Sequence, residues 1–287
     1  MFINIMIKIR VFSSFSPSDF DSSEPFIRTS ELKDDPDYNN LYCFTNANDY
    51  THAILLNTPM PKLTIPKDNV IGLAFEPIHF LGLTQQFLSY AKTHIGKYYI
   101  GDKMDMSMPF IEHFAYMWYR TPLKTIQPNK TKVMSIMISE KLNAPGHKYR
   151  HILVQEILKT NLPINIYGRG CELYKNVNDI RIKGKFDNNE IYDEYMFHIC
   201  IENFTTSHYF SEKIMNTLVS NTTPIYWGCK NIHSYFDDAV INLTGDVGND
   251  IELLKRICQN PDEYIKKLDI DSIKKTINIK NVINEWL

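Results

Sequence analysis

FHICIENFTTSHYFSEKIMNTLVSNTTPIYWGC, Phe197 to Cys229, reads as strand, polar loop, helix and strand. Phe197–Ile201 is an apolar run of β-forming residues that stops abruptly at Glu202-Asn203. A loop of Thr, Ser and His follows. Tyr209-Phe210-Ser211-Glu212-Lys213 then opens a helix whose Ile214, Leu218 and Val219 fall on one face. Thr222–Trp227 is the next strand, closed by Gly228. In an open parallel sheet, ligands bind in the crevice outside the strand carboxyl ends. That edge here carries two carboxylates, an amide, a phenol and an ammonium. The helix N-terminus adds unsatisfied N–H groups and partial positive charge, which suit a phosphate. An ordinary βαβ unit with a solvated loop explains most such segments. The chemical variety between Glu202 and Lys213 argues for a site here.

The same alternation extends both ways. Towards the N-terminus, Ile5–Phe12, Ala53–Leu56, Val70–Phe75 and Lys97–Ile100 read as strands and Phe80–His94 as an amphipathic helix. Ser13–Pro36 reads as a polar loop, and Met104–Arg120 is dense in Met and aromatics without a clear period. Thr121–Lys132, with two prolines and three lysines, is the linker. Val133–Ile138, helix His147–Lys159 and strand Pro163–Tyr167, closed by Gly168, begin a second α/β run. A short helix at Asn189–Tyr195 precedes the quoted unit, and helices at Asp250–Cys258, Pro261–Leu268 and Ile273–Leu287 follow it. Two α/β domains are expected, 1–125 and 126–287, with the C-terminal helix able to cross back to the first.

Composition narrows the function class. The chain has 287 residues, 44% hydrophobic and 22% charged, as in an ordinary globular protein. A formal charge of −2 gives no general field for nucleic acid or an anionic membrane. Five scattered cysteines without a C-x-x-C argue against a disulfide framework or zinc site and fit a reducing compartment. The opening MFINIMIKIRVF is broken by Asn4, Lys8 and Arg10 and is too short to span a bilayer, so it reads as a first strand.

Glu202, Asn203, Tyr209, Glu212, Lys213, Pro224 and Gly228 match, in order and spacing, the signature of the α-1,3/4-fucosyltransferases, glycosyltransferase family 10. The resemblance is good from about Val133 to Asp262 and thin in the N-terminal half. It implies a GT-B architecture: two Rossmann-like domains facing a central cleft, acceptor on the N-terminal side and nucleotide sugar on the C-terminal side. It also implies an inverting transfer of fucose from GDP-fucose to a glycan hydroxyl. No essential metal or other cofactor is expected, because protein cations take the metal's place on the diphosphate. Eukaryotic members carry a signal-anchor that is missing here, which implies a cytoplasmic form without a transmembrane segment.

Residue roles follow from the resemblance. Arg150, which matches the family arginine ahead of the helix after the second domain's first strand, and Lys213 supply two cations to a diphosphate, Arg as a fork and Lys as a point charge. Lys148 is the alternative to Arg150, and a solvated helix arginine is the plain explanation of either. Glu212 is expected on the ribose, Asn203 and Tyr209 on the donor, and Glu202 behind them or at the sugar. Glu76, in IGLAFEP at a strand's carboxyl end, is the expected general base. The plain alternative is a half-buried glutamate bonded to backbone amides. Tyr167 and Arg169 of NIYGRG either line the nucleotide or, the favoured reading, only pack the loop, and Tyr226 and Trp227 read as sheet packing. Asp19-Phe20-Asp21 imitates a metal-binding pair but sits in a Ser/Pro loop. Two other functions fit the same residues: a transferase using GDP-mannose, GDP-rhamnose or a UDP-sugar, and a non-catalytic module that binds nucleotide sugars or glycans.

Overall fold

The predicted alternation folds into two six-stranded sheets, each wholly parallel, in a computed structural model that describes residues 6–17, 19–121, 130–187 and 190–287. One compact unit takes in Met1–Thr121, Thr206–Tyr209 and Lys274–Leu287; the other takes in Pro122–Thr205 and Phe210–Ile273. Both are Rossmann-like, which is the two-domain pattern of the GT-B class.

The first unit's strands are β1 (Ile7–Ser13), β2 (Tyr42–Phe44), β3 (His52–Leu56), β4 (Val70–Leu73), β5 (Lys97–Ile100) and β6 (Phe110–Glu112), in the order β2-β1-β3-β4-β5-β6. Helix Gln85–His94 drives Phe87 and Ala91 into a core with Leu55, Val70, Tyr98 and Phe110. Gly72 is required at that contact, because a Cβ there would lie 2.0 Å from the Tyr98 ring. The Lys274–Leu287 segment completes this unit. Lys280 pairs with Asp35 at 2.7 Å and Asp37 at 2.9 Å, Glu285 pairs with Lys97 and Tyr99, and Trp286 packs on His52.

The second unit's strands are β7 (Lys132–Met137), β8 (Ile164–Tyr167), β9 (Ile182–Gly184), β10 (Tyr195–Ile201), β11 (Thr223–Trp227) and β12 (Ile241–Asn242), in the order β12-β11-β10-β7-β8-β9. Side chains alternate across β10. Phe197, Ile199 and Ile201 meet helices Pro145–Leu158 and Val247–Gln259 on one face. Cys200 turns to the other, where its Sγ meets Thr217 of helix Glu212–Val219. Helices on both faces make the sheet doubly wound. The chain leaves β7 for β8 on one side and β10 for β11 on the other, so order reverses between β7 and β10. That is the switch point of this sheet.

Several expectations need correction. Phe80–His94 is two helices, Ile78–Leu81 and Gln85–His94, because Gly82 turns left-handed at φ 66° and Thr84 caps the second by accepting from Phe87 N. Ser13–Pro36 contains helix Glu24–Thr29 and a 3-10 turn at Leu32–Asp34. The C-terminal helix is two, Ile270–Ile277 and Lys280–Ile283, with Asn278 Oδ1 accepting from Lys280 N between them. Pro261–Leu268 keeps only a 3-10 turn at Pro261–Glu263. The helix expected from Tyr209 starts at Glu212, and the short helix expected at Asn189–Tyr195 is Glu190–Asp193. Residues 122–129 of the linker, Asn189 and Ile5 lie outside the described residues. All five cysteines stand as thiols. Among the described residues no helix is long and apolar enough to cross a membrane.

Candidate functional site

The carboxyl end of β10 is tied down before any chemistry is considered. Glu202 N–H donates to Trp227 O at 2.8 Å, extending the β10–β11 pairing by one residue. The Glu202 side chain is fully buried. Its Oε1 accepts from Ser211 N at 2.8 Å, its Oε2 accepts from Ser211 Oγ at 2.7 Å, and Lys213 Nζ stands 3.3 Å from Oε2. Ser211 is the N-cap of helix Glu212–Val219. One carboxylate therefore fixes the start of the helix that carries Glu212 and Lys213.

The neighbouring helix closes on the same turn. Gly146 N donates to Asn203 O at 2.9 Å, and a Cβ on Gly146 would fall 1.8 Å from Glu202 O. Only glycine lets helix Pro145–Leu158 approach so closely. One turn on, the buried Arg150 donates through Nε and Nη2 to Ile201 O at 3.0 and 2.6 Å, and through Nη2 to Asn203 Oδ1 at 2.9 Å. Two helix N-termini and two cations thus converge at the switch point between β7 and β10. An anion is stabilised at such a place both by the helix ends and by the side chains.

The electrostatics agree. Burial works to strip the proton from Lys213, but Glu212 at 3.2 Å and Glu202 at 3.3 Å hold it on, and the ammonium's pKa is raised. Burial opposes charge on Glu212 as well, yet Lys213 keeps its carboxyl below the usual range. The Glu212 side chain is 43% exposed and that of Lys213 is 16% exposed, so Glu212 is the partner that can exchange with solvent or ligand. His147 is pushed down to about 4 by burial and then by Arg150 and Lys141, so it stands as neutral imidazole beside the cations.

Tyr209 belongs to the other compact unit, within Thr206–Tyr209. It lies on Gly101, where a Cβ would come 2.6 Å from its own Cβ, and Thr206 Oγ1 is 3.5 Å from Asp102 Oδ2. Glu76 is in the same unit, half-buried at the carboxyl end of β4. Asn57, left-handed at φ 61° after β3, accepts from Phe75 N through Oδ1 at 2.8 Å, and its own N–H donates to Leu73 O. Pro77 disfavours the helical region at Glu76 from the other side. The backbone on both sides of that carboxylate is therefore defined.

The structure brings Arg150, Glu202, Asn203, Glu212 and Lys213 together in the second unit, with Glu76 and Tyr209 in the first. Lys148 is exposed, whereas Arg150 faces the turn. Tyr167 packs with Tyr195, and Arg169 pairs with Glu140 on the surface. Asp21 accepts from Ser23 ahead of helix Glu24–Thr29. Among the described residues no group of three or more His, Cys, Asp or Glu side chains could hold a metal ion. Sequence reasoning passed over Ser211, Gly146, His147 and Asn57. A serine directly before Glu-Lys at a helix start was a readable cap signal for Ser211; the other three depend on tertiary contacts.

A family model described as glycosyltransferase family 10 (fucosyltransferase) C-term matches residues 127–272. The chain is 33% identical over 89 residues to a protein of Acanthamoeba polyphaga mimivirus provisionally named a fucosyltransferase, covering 31% of this chain and 14% of that protein. It is 26% identical over 143 residues to GDP-fucose protein O-fucosyltransferase 3 of Danio rerio, covering 47% and 31% respectively. The chain thus spans under a third of the length of these curated relatives. In fold it is similar to a crystal structure of an alpha1,3-fucosyltransferase with GDP-fucose: TM-score 0.55, 16% identity, 98% of this chain and 90% of that one.

Proposed function

The chain belongs to glycosyltransferase family 10, and from that premise we propose that it transfers fucose from GDP-fucose to a hydroxyl of a glycan acceptor. Arg150, Lys213 and the two helix N-termini take the diphosphate. Glu212 releases Lys213 to the phosphates and turns to the ribose hydroxyls. Glu202 stays beneath, holding Lys213 and Ser211 in place, while Asn203 and Tyr209 position the donor. Glu76 accepts the proton of the acceptor hydroxyl as its oxygen bonds to the anomeric carbon. The bond from that carbon to the β-phosphate oxygen breaks, and its electron pair leaves with GDP. Cations and helix ends already in place stabilise the charge that develops there. Attack opposite the leaving group inverts the anomeric carbon and makes an α-linked product from a β-linked donor. Five thiol cysteines support a cytoplasmic setting for the reaction.

The observation that carries this reading is the convergence of Arg150, Asn203, Glu202 and Lys213 on one strand-end turn between two helix N-termini. A panel of nucleotides and nucleotide sugars tests it. GDP and GDP-fucose should raise the thermal midpoint more than UDP or UDP-sugars do, since a ligand at 100-fold its Kd stabilises the folded state by about 2.7 kcal/mol. GDP-fucose should also be cleaved slowly to GDP without acceptor. A larger shift with UDP defeats the donor assignment, and stabilisation without any cleavage points to a binding module.

A further inference from the structure

Phe15 and Phe20 are each 47% exposed, and their rings converge on Trp118, at 5.8 and 6.1 Å. Behind Trp118 stand two core rings, Phe75 at 5.4 Å and Phe26 at 5.7 Å, and Phe15 also reaches Phe75 at 6.0 Å. Phe75 is the residue before Glu76. Three separate stretches build this cluster: the loop after β1, the end of β4 and the segment after β6. Because those strands are parallel, all three emerge at one edge of one sheet. Scattered exposed aromatics are ordinary. Two half-exposed rings set edge-on and tilted against a third, with a buried ring joining them to the residue before a strand-end carboxylate, form an aromatic shelf at that sheet edge.

We propose that Phe15, Phe20 and Trp118 are the acceptor platform: a neutral pyranose lays its C–H face on these rings, with the reacting hydroxyl toward Glu76. The proposal rests on the fucosyl-transfer reading above. Aromatic faces carry negative electrostatic potential, and sugar C–H groups, polarised by neighbouring hydroxyls, carry the complementary sign. An apolar aromatic wall with a few placed polar groups is also the usual make-up of a small-molecule site. The cluster lies in the N-terminal half, where resemblance to the family is thin and the family model does not reach. Acceptor choice would therefore be set by residues particular to this chain, while the donor site follows the family pattern.

Saturation-transfer NMR on the intact protein tests the shelf, with methyl β-D-galactopyranoside and methyl β-D-glucopyranoside as probes. Saturation is expected at ring C–H protons in the wild type. It should fall about five- to tenfold in the Phe15→Ala/Phe20→Ala variant and be restored in Phe15→Tyr/Phe20→Tyr. The GDP-induced thermal shift should be the same in all three, which shows that each is folded and that the donor site is intact. Absence of saturation in the wild type, or undiminished saturation in the double-alanine variant, overturns the proposal. A double-alanine variant that changes sedimentation but not saturation assigns the shelf to a second copy of the chain and also overturns it. A wild type on which GDP has no effect strikes the donor reading instead, whatever the sugars do.

Discussion

Glu202→Ala is the sharpest perturbation of the site. The carboxylate is fully buried, accepts from Ser211 N and Oγ, and balances Lys213 at 3.3 Å. Its removal strands a backbone donor and leaves the mostly buried ammonium with Glu212 as its only carboxylate partner among the described residues. Breaking a buried pair from one side costs about 3–5 kcal/mol. For a unit of this size each kcal/mol moves the midpoint by roughly 2–4 °C, so the second unit's transition should fall by about 6–20 °C. The pH dependence gives an independent reading. Lys213 has a raised pKa in the fold, so the stability it contributes is full below its unfolded pKa and is lost as pH climbs through the folded value. Glu202 is one of the two carboxylates that raise that value. In Glu202→Ala the folded pKa drops and the alkaline loss of stability begins at lower pH. Scanning calorimetry at a series of pH values from neutral to strongly alkaline measures both effects. A midpoint within about 3 °C of wild type, with an unmoved alkaline limb, refutes the account of Glu202 as the anchor of this turn.

Lys213→Ala should weaken GDP binding about ten- to a hundredfold, the value of a charge-assisted contact, and lower turnover with it. Lys132→Ala should do little, since Lys132 makes an exposed pair with Glu194; equal effects on calorimetric GDP affinity would mean the cationic pocket lies elsewhere. Glu76→Gln should leave GDP affinity nearly unchanged while transfer falls by about 10²–10⁴-fold. A folded Glu76→Gln protein with wild-type transfer removes the proposed base and turns attention to Glu112 or Asp105. Gly101→Ala should displace Tyr209, because the added Cβ would come 2.6 Å from its Cβ. Donor KM is the readout, and an unchanged value would show that Tyr209 plays no part in donor binding.

The signature segment was readable because each of its parts is local. β10 follows from an apolar run, the helix from its spaced Ile214, Leu218 and Val219, and the site from polar groups placed at a strand end. Arg150 was harder to place, because what selects it over Lys148 is the Ile201 carbonyl fifty-one residues away. Glu202 was left with two places, behind the donor-binding residues or at the sugar. Only the folded chain chooses between them, turning Glu202 inward onto Ser211. The strands that escaped notice, Tyr42–Phe44, Phe110–Glu112, Ile182–Gly184 and Ile241–Asn242, are two or three residues long and too short to show a period. The breaks in the helices after Leu81 and Ile277 depend on Gly82 and Asn278, whose turn geometry overrode an otherwise helical pattern.

The segment Lys274–Leu287 also bears on the order in which the first unit is completed. Lys280, Glu285 and Trp286 hold Asp35, Asp37, Lys97 and His52 of the first unit, yet they follow the whole of the second unit in the chain. During synthesis domains usually fold as they emerge, N-terminal first. Here the first unit, whose six strands all lie before Thr121, receives this segment only after every strand of the second unit has been made. A chimera that grafted only the N-terminal half from a relative would inherit a mismatched clasp. Such an exchange has to move the tail along with the half it closes.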